Sequence, residues 1–125
     1  MNAMKKVLLI GLDPQGYDYA NSPFPNLTPQ IVMAGLQTDL ATLNKEGYDA
    51  QMVLVDPDAD AAGAISKVLQ ERFDCILLGG ALRTTPKYFL LFERVINLVH
   101  EHAPGARLCF NTGPADSLAA VQRWV

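Results

Sequence analysis

Two hydrophobic patterns alternate along the chain. KKVLLIGLD holds an unbroken apolar or small run from Val7 to Gly11, too short for a helix and lacking the alternation of a half-exposed strand. Such a run predicts a parallel strand covered on both faces. YDAQMVLVD, DCILLGG and RLCFN supply three further short apolar runs bounded by turn residues, and predict the second, third and fourth strands.

Between these runs the apolar positions follow helical spacing. In LTPQIVMAGLQTDLATLNKEG, Thr28 is placed to cap, Pro29 to fill the first helical position and Gly47 to stop the helix, while Val32, Leu36, Leu40 and Leu43 form its stripe. DADAAGAISKVLQERF predicts a second helix with Ile65, Val68, Leu69 and Phe73 on one face. Asp56, Asp58 and Asp60 crowd its amino end, where the helix dipole favours negative charge. Thr85-Pro86 repeats the cap-then-proline start, and Phe89, Phe92, Val95, Ile96 and Val99 give the third helix a wide apolar face. HAPGA reads as a turn, and ADSLAAVQRWV as a last helix capped near Asp116 or Ser117.

Strands that alternate with helices across short loops predict a parallel sheet with right-handed crossovers and helices on both faces. The expected fold is a three-layer α/β/α sandwich of flavodoxin-like type with a four-stranded parallel sheet. Pattern alone does not fix strand order; 2-1-3-4 is chosen because the first and third runs are the most continuously apolar and suit central positions. The 125 residues match the common size of one domain, so residues 1–125 are expected to form a single unit, ordered apart from Met1 to Met4. One connection is long for such a fold. The fourteen residues PQGYDYANSPFPNL between Asp13 and Thr28 carry Tyr17, Tyr19, Phe24 and three prolines, which predicts a semi-rigid lid, binding loop or interface.

Composition narrows the function classes. Half the residues are hydrophobic, a core-forming proportion. A net charge of −3 and ten dispersed basic residues argue against nucleic acid, which needs clustered Lys and Arg. No apolar run is long enough to span a bilayer and no signal-peptide core is present, so no membrane partner and a cytoplasmic location are expected. Cys75 and Cys109 each sit inside an apolar run and read as small buried hydrophobes; without matched histidines they make no zinc site.

Ligands of open parallel sheets bind beyond the carboxyl ends of the strands, near the point where strand order reverses. The polar residues expected at that edge are Asp13, Asp56, Arg83, Asn111 and Thr112, with Gly79 and Gly80 allowing close backbone approach and Tyr17 on the loop above. Arg83 is the basic residue near a strand end, and its guanidinium suits a carboxylate or phosphate. A surface salt bridge to Asp13 or to an acid of the first loop is the competing role for it. A dinucleotide is disfavoured, because the first turn reads GLDPQG in place of the three-glycine fingerprint and Asp13 would repel a pyrophosphate. Calcium is disfavoured too: counted from Asp56, DPDADAAGAISK has Ala61 and Lys67 where the loop needs glycine and glutamate. His100 and His102, two apart near a helix end, do not share a face. Spacing assembles no nucleophile, base and orienting group, so no catalytic residue, metal or cofactor is expected.

From Gly47 to Arg83, GYDAQMVLVDPDADAAGAISKVLQERFDCILLGGALR resembles the middle of a response-regulator receiver domain, and PGARLCFNTGP is similar to the receiver strand that ends in a hydroxyl residue. The resemblance implies a flavodoxin-like fold, with Asp13 matching an acidic magnesium ligand and Thr112 the switch hydroxyl. The family's phosphoacceptor aspartate falls at Gly79 or Gly80, and its later lysine has no counterpart, so phosphotransfer is not expected. Two functions follow as expectations. One is a non-catalytic receiver-like module for protein contact, with a homodimer as its partner state. The other is a domain or enzyme that holds a small anionic ligand under the 14–27 loop.

Overall fold

In a computed structural model, which describes residues 4–125, four strands form one all-parallel sheet in the order β2-β1-β3-β4. They are β1 (Lys6–Leu12), β2 (Asp49–Val55), β3 (Cys75–Leu78) and β4 (Arg107–Phe110). The helices are α1 (Pro29–Lys45), α2 (Ala61–Val68), α3 (Gly80–Thr84), α4 (Phe89–His102) and α5 (Ser117–Gln122). The expected flavodoxin-like layering and strand order are both present. The expectation for Met1 to Ala3 lies outside the described residues.

Registers explain why β1 is central. Lys6 to Leu12 pairs along its whole length with Asp49 to Val55, while Val7 to Ile10 pairs with Cys75 to Leu78 on the other side. Covered on both edges and both faces, the run needs no polar alternation. Its side chains divide between two cores. Leu8, Ile10 and Leu12 face α2 and α4 with Ile65, Ile76, Leu78, Val95 and Val99, whereas Val7 and Leu9 face α1 and α5 with Leu43, Leu77, Ala120 and Val121. Burying each such side chain contributes about 1.5–3 kcal/mol. β4 closes one edge by pairing Cys75–Leu78 with Arg107–Phe110.

Local chemistry sets the helix ends. Thr28 accepts from the Ile31 amide at 3.2 Å with Pro29 in the first turn, as expected. Gly47 has φ +96°, the left-handed conformation that ends α1 at little cost in glycine. Asp60 caps α2 through the Gly63 amide at 2.9 Å.

The third helix departs from expectation. A five-residue α3 follows β3 directly, and Thr85-Pro86 opens a 3-10 turn, Pro86–Tyr88, before α4 begins at Phe89. The Thr85 side chain makes no capping bond. Along α4, Val95 and Val99 are buried, while Phe89, expected on the apolar face, is 58% exposed.

Candidate functional site

The carboxyl edge divides into two halves, and most of the long first loop belongs to one of them, with Phe24 reaching the other. Two 3-10 turns, Pro14–Gly16 and Tyr19–Asn21, order that loop. Tyr88, buried at 3% exposure, is its anchor: its phenolic oxygen accepts from the Asp18 amide at 3.0 Å and faces the Gly16 carbonyl at 3.3 Å. Tyr17 stacks edge-on against Tyr19 with centroids 4.9 Å apart, and Tyr19 donates to the Pro14 carbonyl at 2.6 Å. Burial is the main reason the Tyr19 phenol is pushed above its ordinary pKa.

The acids of this half are spent on backbone. Asp13 accepts from the Gln15 amide at 2.9 Å and Asp56 from the Asp58 amide at 2.9 Å, each forming a local turn. Asp18 is the acid that meets a cation, Lys87 at 3.3 Å. Its pKa is lowered, first by the Asn21 amide bonded to it and then by Lys87.

The other half holds an open groove. A cavity of about 280 Å³ lies above β3 and β4. Leu12, Phe24, Val32 and Leu36 form its apolar wall, and Gly79, Gly80, Ala81 and Thr84 form one rim. Asn111, Thr112 and Gly113 form the opposite rim. Phe24 extends the first loop over this space. A crevice of about 20 Å³ continues inward past Gly79 and Asn111 to Asp39.

Asn111 is the buried polar residue lining this cavity. It follows β4, is 6% exposed, and donates from Nδ2 to Ser117 Oγ at 2.8 Å. Its Oδ1 is buried without a partner, one of two such side-chain atoms among the described residues. Ser117 is fully buried at the start of α5, with its hydroxyl near the Asp39 carboxyl. Burial raises the Asp39 pKa, the nearby Ser117 hydroxyl opposes that rise, and the charge of Asp116 adds to it.

Neither rim glycine is required by the fold. Both Gly79 and Gly80 lack a positive φ. A Cβ on Gly79 would come no closer than 3.5 Å to the Ile10 carbonyl, and one on Gly80 no closer than 3.9 Å to Asn111 Oδ1. Side chains would fit against the protein here, and their absence keeps the cavity open.

Arg83 is placed elsewhere. Its Nη2 donates to the Asn111 carbonyl, its guanidinium lies 5.6 Å from the Phe110 ring centroid, and it does not line the groove. The fold therefore brings Gly79, Gly80, Asn111 and Thr112 together, and separates Asp13, Tyr17 and Asp56 from them. Sequence reasoning missed Thr84, Ser117 and Asp39. A signal existed for Asp39, which stands three residues after Leu36 and four before Leu43 on the inward stripe of α1.

Cys75 and Cys109 lie on the α1/α5 face of the sheet, Sγ to Sγ 3.5 Å, both free and buried. The Cys75 thiol and then burial push Cys109 upward, which keeps it a neutral thiol. Among the described residues no cluster of three or more His, Cys, Asp or Glu could hold a metal, and no helix is long and apolar enough to cross a membrane.

The chain matches no protein-family model, and no curated protein is significantly similar to it.

Proposed function

We propose that this chain is a small-molecule-binding domain whose site is the groove between the Gly79-Gly80 turn and Asn111. The observation that carries this reading is the buried, unpartnered Asn111 Oδ1 at the edge of a 280 Å³ cavity. Leaving a buried acceptor unmade costs about 1–3 kcal/mol, and a ligand donor removes that cost. Position supports it as well, since the groove lies beyond the strand carboxyl ends where open parallel sheets take ligands. The volume is at the small end of the range for ligand cavities. An anion held by Arg83 is a weaker version, because the guanidinium is already turned to the Asn111 carbonyl.

The test is a metabolite screen by thermal shift on the chain and on Gly80→Leu, which fills the rim. Compounds that raise Tm for the parent and not for the variant support the reading. A screen in which no compound distinguishes the two proteins sinks it.

A second reading, the non-catalytic receiver-like module for self-association, draws on a different observation. Phe110 and Trp124, 36% and 51% exposed, flank the open edge of β4. Unpaired strand edges invite pairing. Light scattering across a concentration series tests it: growth of a dimer that Trp124→Lys abolishes supports the interface, and a monomer at the highest concentration removes it.

A further inference from the structure

Resting on the ligand-binding reading above, we infer that the groove takes an uncharged small molecule with a hydrogen-bond donor on an apolar body, the donor directed at Asn111 Oδ1. A primary carboxamide is the simplest member of that class.

The direction of the Asn111 amide follows from its neighbours. The amide presents its NH2 to Ser117 Oγ at 2.8 Å. The oxygen is left buried without a partner, 3.9 Å from where a Cβ on the rim residue Gly80 would stand.

The other polar side chains of the rim are committed in the same sense. Thr84 donates its hydroxyl proton to the Gly80 carbonyl at 2.7 Å, and Thr112 donates its own to Asp116. Both protons therefore point into the protein, and the free lone pairs remain. All three polar side chains along the groove thus offer acceptors to a ligand. An anion would meet these oxygens with no cation on the lining, because Arg83 lies outside it. No ionisable side chain lines the groove among the described residues. A charged ligand would thus be desolvated without a counter-charge, which is costly. Leu12, Phe24, Val32 and Leu36 reward an apolar body instead.

The experiment titrates the 15N-labelled chain with four one-ring probes: benzamide, benzoate, benzylammonium and toluene. The amides of Gly79, Gly80 and Gly113 and the Asn111 side-chain NH2 report occupancy. Benzamide is expected to shift these signals and saturate in the millimolar range, with the other three at least ~tenfold weaker, the loss one buried hydrogen bond produces. Asn111→Leu should weaken benzamide by a similar factor. Since that variant also removes the Ser117 bond, Gly80→Leu is the second arm: it leaves Asn111 and Ser117 intact and should abolish binding. Benzoate or toluene binding as well as benzamide at these amides overturns the ligand class and leaves the groove as a site. Tighter benzylammonium binding overturns the uncharged character alone. Unchanged benzamide affinity in Gly80→Leu puts the probe elsewhere and overturns the inference. If no probe moves any groove amide of the folded chain, the ligand-binding reading fails with it.

Discussion

The two halves of the carboxyl edge use glycine in opposite ways. On the β1/β2 half, Gly16 sits where an added Cβ would lie 2.9 Å from Pro57 Cδ and 3.2 Å from Asp56 Oδ1. That glycine is needed because the first loop packs onto the turn after β2. On the β3/β4 half, Gly79 and Gly80 meet nothing closer than 3.5 Å. The polar groups differ in parallel: Asp13, Asp56 and Tyr19 are consumed by local backbone, whereas Asn111 keeps a free acceptor. A half whose groups are all spent holds structure. A half with spare space and a spare acceptor is where the proposed ligand would sit.

The largest expected effect tests how firmly the first half is built. Tyr88→Ala removes a buried ring and both loop contacts, and should cost about 3–5 kcal/mol, the usual range for deleting a buried aromatic. Urea unfolding measures the loss, and hydrogen exchange at Asp18 should accelerate. A cost below about 1 kcal/mol would mean the loop is anchored by something other than Tyr88. Gly16→Ala comes next, at about 1–3 kcal/mol, because Pro57 is ring-constrained and gives way poorly.

Gly80→Ala should do the reverse. A residue in the first turn of α3 gains from losing glycine's freedom in the unfolded chain, and its Cβ fits, so stability should rise by about 0.4–1 kcal/mol. If Gly16→Ala and Gly80→Ala shift the urea midpoint in the same direction, the contrast between the two halves is wrong.

What the sequence exposed and what it hid follow from the range of the interactions involved. The strands, the sheet order and the Thr28, Gly47 and Asp60 helix ends are written in local pattern, and each is present. Gly79, Gly80, Asn111 and Thr112 were also findable as strand-end residues. Arg83 looked like an anion ligand because its charge is legible and its direction is not; a carbonyl 28 residues away takes its donor. Tyr88 was invisible as a loop anchor, since its partners Gly16 and Asp18 are about 70 positions distant. Helix α3 was missed because Thr85-Pro86 is a strong start signal that here opens only a 3-10 turn.

The smallest effect concerns the buried acid behind the groove. Burial raises the folded-state pKa of Asp39 above its unfolded value, so the folded chain binds that proton more tightly. Between the two pKa values the folded state carries more protons, and stability falls as pH rises through the window just above about 4. Asp39→Asn removes this term at nearly the same volume, so the variant should gain on the parent as pH rises across that window. Urea midpoints of both proteins from pH ~3.5 to ~7 measure the difference. A variant that instead loses ground with rising pH would mean that the ionised carboxylate is better served in the fold than in water.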